Sequence, residues 1–156
     1  MIPYGLYVIT AEDKDGRISA STVNWVTQAS SKPPLVDVAV KADSQIHDIF
    51  KTAGDFALNV LGKGQQGAAY AFFKPAERDG QKISGEPFRA GSTGAPVLEN
   101  TPAFVECRLV TTVEEGDHSI FVGKVVDAGV TPDPEGRADE ATLLLKELGE
   151  KTFYSD

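Results

Sequence analysis

Hydrophobic and polar residues alternate over much of the chain, the period of two that puts successive side chains on opposite faces of a β-strand. Residues 4–12 begin the series, with Tyr4, Leu6, Val8 and Thr10 on one face and Gly5, Tyr7, Ile9 and Ala11 on the other. The run DKDG at 13–16 predicts a hairpin turn into a second strand over residues 17–28. After a Pro33-Pro34 break, the apolar run LVDVAVK at 35–41 predicts a mostly buried strand. Ser44 then caps a helix carrying Ile46, Ile49 and Phe50 that stops at Gly54. A strand follows over 55–61, then a short helix over 65–73 whose Ala68, Tyr70, Phe72 and Phe73 suggest burial and which Pro75 stops. Residues 74–96, rich in Gly, Pro and charge, read as loop. Strands over 102–112 and 118–130 form a hairpin about a turn at 115–117, and a surface loop covers 131–140. Asp139 caps a last helix, with Leu144, Leu145 and Leu148 as its buried stripe and Gly149 as its stop. Strands dominate and helices are short, which predicts an antiparallel barrel with a few covering helices.

The second strand and the corner after it depart from a plain core pattern. Ser19, Ser21, Thr22, Asn24, Thr27, Gln28, Ser30 and Ser31 crowd hydroxyls and amides into about a dozen positions. Such groups either face water on the outer side of a sheet or hydrogen-bond the edge of a ligand, and a corner of Ser and Lys can meet an anion. The second alternative describes a nucleotide-like ligand, a flat heterocycle with a phosphate.

Composition narrows the chemistry. At 156 residues the chain has the length of one domain, 1–156, and a formal net charge of −8 opposes association with nucleic acid or an anionic membrane. The excess acid lies in an early turn at 12–15 and near the C-terminus at 127–150, where solvated surface is the expected setting. A single cysteine, Cys107, excludes an intrachain disulfide and multi-cysteine metal sites, and it alternates with Val105 and Leu109 as a packed small hydrophobe would. A reducing, cytoplasmic setting fits, and neither a signal peptide nor a membrane-spanning run is visible. Only two histidines are present, and the spacings of Rossmann, P-loop, zincin, α/β-hydrolase and dithiol sites are absent. What remains is chemistry that an organic cofactor brings with it.

The run ASTVNWVTQASSKPPLVDVAVK at 20–41, with FALNVL at 56–61, GAPVL at 94–98, AFVECRL at 103–109 and GDHSIFVGKV at 116–125, resembles the flavin reductase-like family of FMN-binding split barrels. The matches keep their order from Tyr4 to about Gly129. The resemblance implies a mainly β fold of antiparallel Greek-key type, a homodimer, and hydride transfer from NADH or NADPH to FMN, with FAD possible. Free flavin, a partner monooxygenase or a small acceptor such as a ferric chelate would then take the electrons.

It also implies roles for residues. Ser21, Thr22, Val23, Asn24 and Trp25, with Gln28, Ala29 and Ser30, would flank the ring system and its ribityl chain. Ser31, Lys32 and the turn at 41–44 would lie near the phosphate, with Ser44 favoured because it opens a helix. Lys82, in DGQKI, would add charge there, at a spacing that departs from the family's. His118 would sit beside the flavin where the nicotinamide docks, or else cap the 115–117 turn. His47 lacks a matching motif and is expected at the surface. Trp25 would cover one edge of the flavin or fill the core, and Arg78 and Arg89 would select a nicotinamide phosphate or face water. Two other arrangements fit the same residues: a non-catalytic FMN-binding electron relay, and a relative of the pyridoxamine-phosphate oxidases, which usually bring more Arg and Lys than this acidic chain has.

Overall fold

The computed structural model describes residues 2–150 and residue 152. Its main sheet has seven strands: β1 (Tyr7–Glu12), β2 (Ile18–Val23), β3 (Val26–Ser31), β4 (Pro34–Lys41), β5 (Asp55–Val60), and two longer ones called β10 (Ala103–Val113) and β11 (His118–Val130) for the four short strands that precede them. They lie in the order β2-β1-β5-β10-β11-β4-β3, antiparallel throughout. The β1–β2 hairpin is set by Asp13, whose carboxylate accepts from the Asp15 and Arg17 N–H groups at 3.0 Å and meets Arg17 Nε at 2.6 Å. Asp13 is thus buried in its turn, where the composition suggested solvated acid.

The strand expected over 17–28 is two strands that occupy opposite edges of this sheet. Only Asn24 and Trp25 separate Val23 from Val26, so the edge strands begin within about 11 Å of each other. A seven-stranded sheet meets that condition only by curling on itself, as a barrel split along the β2/β3 seam. The break has identifiable causes. Thr22 at the end of β2 turns to the next layer, its N–H donating to Phe72 O and its hydroxyl to Ala69 O, while Trp25 O accepts from Ala39 N and starts β3 on β4.

Helix α1 (Gln45–Ala53) plugs the barrel, presenting Ile46, Ile49 and Phe50 to Ile9, Val38, Val40, Phe56, Leu58 and Phe121. Ser44 caps it and Gly54 ends it in the left-handed region at φ 79°, as the sequence predicts. Phe50 stacks on Phe56 at 4.7 Å and meets Phe121 edge-on at 5.2 Å. Gly123 admits no side chain here, since a Cβ would stand 2.6 Å from Phe56 Cζ and 2.7 Å from Cys107 Cβ. Cys107 is fully buried in this core, as expected, and burial pushes its thiol up to about 12, which leaves it inert.

An outer layer covers β1 and β5. It comprises helix α2 (Gln66–Ala71), near the short helix expected, and a four-stranded sheet of β6 (Arg78–Asp79), β7 (Lys82–Ile83), β8 (Glu86–Ala90) and β9 (Pro96–Leu98), most of it within the 74–96 stretch expected to be loop. Strands this short carry no readable period, and their hold on the core is a handful of buried residues, Ile83, Phe88, Val97 and Leu98. Buried amides tie the layers together, with Asn59 donating to Val8 O at 2.9 Å and accepting from Leu98 N at 2.9 Å. Glu106, fully buried, accepts from the Ser92 and Thr93 N–H groups at 2.9 and 3.0 Å and so fixes the turn into β9.

The predicted C-terminal helix is absent. Its place holds two 3-10 turns, Ala138–Ala141 and Leu145–Leu148, because the backbone between them extends to bridge strands: Leu6 N donates to Leu143 O and Leu143 N to Leu61 O, both at 2.8 Å. Leu143 is then the most buried leucine of the segment, ahead of the predicted stripe. Of the α2 aromatics only Phe72 is core; Tyr70 and Phe73 are about half exposed.

Candidate active site

The crossover between β2 and β3 forms one wall of a cleft, and the outward face of β4 and β11 forms its floor. Residues paired across an antiparallel ladder share a face. The pairs His118–Lys41, Ile120–Ala39 and Val122–Asp37 therefore form two outward rows, while Val38, Val40, Ser119 and Phe121 point into the barrel. The small Ala39 at the centre of the floor leaves room above it.

Two connected cavities result. The smaller, about 60 Å³, is bounded by Ser21, Thr22, Val23, Lys41, Ser44 and His118. The larger, about 520 Å³ and open, is bounded by Tyr4, Tyr7, Val26, Thr27, Asp37 and Ile120. Asn24, Trp25 and Ala39 line both. The larger volume is that of a site for a drug-sized ligand.

Three side-chain arrangements give the cleft its chemistry. Asn24 is 6 % exposed, and among the described residues its Nδ2 has no hydrogen-bond partner, a donor whose burial is unfavourable until something accepts from it. The Trp25 and His118 rings lie 4.6 Å apart at a 47° tilt, which builds an aromatic wall. His118 Nδ1 contacts Asp117 Oδ1 at 2.9 Å, and this hydrogen bond holds the Asp117 carboxyl below the usual carboxylate range. At the polar end, Ser44 Oγ donates to Lys41 O at 2.6 Å and accepts from His47 N, so the hydroxyl orders the α1 N-terminus beside Lys41. Ala42 N donates to Asp117 O at 2.8 Å and locks this turn to the start of β11.

The structure therefore gathers Ser21, Thr22, Val23, Asn24, Trp25, Ser44 and His118 about one cleft. Gln28, Ala29, Ser30, Ser31 and Lys32 lie farther along the exposed β3 edge and its turn, outside the lining of both cavities, and Lys82 is exposed on β7 in the outer sheet. Arg78 lies over the Phe88 ring of the outer layer and Arg89 over the Phe104 ring of β10, both outside the cleft. His47 lies inside the barrel and not at the surface, where its sequence setting had placed it. It is buried at 5 % exposure, with Nε2 2.7 Å from Ser119 Oγ and its ring edge-on to Phe121, because residue 47 falls on the inner face of α1. Asp37 and Ala39 carry no sequence signal of their own, since 35–41 reads as a mostly buried apolar strand.

The flavin reductase like domain family matches residues 1–147. The chain belongs to the flavin reductase-like family. It is 36 % identical over 144 residues to a flavin reductase of Pseudomonas putida, covering 92 % of this chain and 80 % of that protein. It is 33 % identical to a ferric-chelate reductase (NAD(P)H) of Archaeoglobus fulgidus, over 86 % of this chain and 80 % of the relative. The flavin reductase of the styrene monooxygenase system of Pseudomonas putida S12 superposes with a TM-score of 0.73 at 30 % identity, covering 84 % of this chain and 83 % of the other. The mainly β, antiparallel split barrel is the fold these relatives lead one to expect, with the seam placed between β2 and β3.

The family's cofactor fits the cleft. A flat ring system with carbonyl acceptors suits the volume beside Trp25 and the Asn24 Nδ2, unpartnered among the described residues, and a phosphate suits a helix N-terminus next to a lysine.

Proposed function

We propose that the chain is an NAD(P)H:flavin oxidoreductase that binds FMN, with FAD as the alternative, in the cleft between the β2–β3 crossover and the outward face of β4. The observation that carries this is the buried Asn24 Nδ2, unpartnered among the described residues, at the junction of a polar end and a broad aromatic-walled cavity. A bound flavin supplies the redox chemistry, accepting hydride from a reduced nicotinamide and releasing electrons to a second acceptor. The protein's own part is to bind, orient and shield. Asn24 donates to a carbonyl of the ring, Trp25 limits the ring on one side, and Lys41 with the α1 N-terminus holds the phosphate. His118, braced by Asp117 and tilted against Trp25, offers the nicotinamide a flat surface. Residues 28–32 and Lys82 lie outside the lining of this cleft.

Free flavin, a partner oxygenase or a ferric chelate would receive the electrons; the two relatives named for a monooxygenase system and for a ferric chelate support both of the latter. The chain would act as a homodimer: Val113 and Ile120, paired across β10 and β11, are 44 % and 40 % exposed on one sheet face. A reducing compartment suits its single, buried cysteine.

The experiment is turnover of NADH and NADPH with excess FMN in air. Catalytic loss of the reduced nicotinamide is expected, and a protein that binds FMN but never turns over would be a relay instead. His118→Ala should raise the nicotinamide KM roughly threefold to tenfold, the worth of about 0.5–1.5 kcal/mol of ring contact, with FMN affinity unchanged.

A further inference from the structure

We infer that Asp37 accepts a hydrogen bond from the imide N–H of the bound flavin ring, and that the site thereby distinguishes flavins by their N3 substituent. The inference rests on flavin occupying the cleft. Asp37 stands on the outward face of β4, in one cross-strand row with Thr27 and Val122, and lines the larger cavity. Its Oδ1 is buried from solvent and has no hydrogen-bond partner among the described residues, and no salt bridge involving Asp37 occurs among them. A carboxylate oxygen removed from water and left without a donor is destabilising until a donor arrives.

The donor must come from the cleft. Asn24 Nδ2 and Asp37 Oδ1 are an unpartnered donor and an unpartnered acceptor lining one cavity. The complementary ligand edge carries a carbonyl next to an N–H, and the pyrimidine end of the isoalloxazine presents an N–H between two carbonyls. A nicotinamide carboxamide offers the same pair on a single small ring, which would leave most of a cavity of about 520 Å³ unfilled.

Position along the strand favours flavin as well. Asp37 and Lys41 share the outward face of β4 four residues apart, about 13 Å at the rise of a strand, with Ala39 as the low point between them. A ligand anchored by its phosphate at Lys41 and Ser44 and extended over Ala39 brings its far end to Asp37.

The test compares FMN with N3-methyl-FMN, which lacks that N–H, by titration against the wild-type protein and Asp37→Ala. The wild-type protein should bind FMN about tenfold more tightly than the methylated flavin, and Asp37→Ala should cut this preference to within about twofold. An equal preference in both proteins overturns the role of Asp37 while leaving flavin binding intact. An Asp37→Ala protein altered only in self-association, by sedimentation equilibrium, also overturns it and makes the carboxylate an interface group between copies. A wild-type protein that binds neither flavin overturns the proposed function and this inference together. A change in the KM for NADH without any change in flavin preference assigns the carboxylate to the nicotinamide and overturns the flavin contact.

Discussion

Phe121→Ala should destabilise the fold by about 3–5 kcal/mol, the range for deleting a fully buried aromatic ring. Phe121 has no exposed surface and lies at the centre of the barrel, edge-on to Phe50 at 5.2 Å and to the His47 ring at 5.3 Å. Its neighbours have little freedom to collapse into the space. Phe50 is already stacked on Phe56, and Phe56 is already in contact with the bare backbone of Gly123. In thermal unfolding the loss corresponds to roughly 6–20 °C for a chain of this length. Val110→Thr, at a position 58 % exposed on the neighbouring strand, is the control and should stay within about 0.5 kcal/mol. Chemical denaturation of both variants checks the pair, and similar losses would mean that the barrel interior is elsewhere.

Asn24→Leu should move stability and ligand affinity in opposite directions. The side chain is nearly as large, but it removes an amide donor that is buried and unpartnered among the described residues. The flavin-free protein should therefore hold its stability or gain up to about 1 kcal/mol, since an unsatisfied buried donor costs about 1–3 kcal/mol. FMN affinity should fall tenfold or more, because the ring carbonyl that Asn24 serves then faces a methyl group. Thermal melts without ligand, beside an FMN titration, read the two quantities separately. A structural asparagine would give the reverse pattern, with a lower melting temperature and unaltered binding.

The parts of this fold legible in the sequence are those whose signal is local. Ser44 and Gly54 bracket α1 because a cap and a left-handed stop act within one turn of chain. The β10–β11 hairpin is legible because eleven and thirteen residues carry the alternating pattern many times over. Where long-range pairing decides, local pattern misleads. Residues 141–148 have a helical leucine spacing, yet the backbone of Leu143 is taken by Leu6, just before β1, and Leu61, just after β5. Residues 17–28 look like one strand, and only the layer behind Thr22 breaks it at Asn24.

The site divides in the same way. Residues 21–25, Ser44 and His118 stand out because hydroxyls, a lone tryptophan and a histidine after a turn are conspicuous in sequence, and the fold brings them to one cleft. Residues 28–32 look equally polar but run along the β3 edge and its turn, outside the lining of either cavity. Asp37 was hidden inside an apolar run, since which face of β4 looks outward depends on how the sheet curls once β4 pairs with β11. His47 was misjudged for a related reason: position 47 shares the barrel-facing side of α1 with Ile46, Ile49 and Phe50, while its neighbour Asp48 faces water.

Titration of the purified protein with FMN, followed by the fluorescence and visible spectrum of the flavin, tests the central claim most directly. A saturable change at one FMN per chain is expected, with a dissociation constant in the micromolar range or below. FMN whose fluorescence and spectrum stay those of the ligand in water, up to concentrations of about 1 mM, the weak-binding limit near 4 kcal/mol, would contradict it.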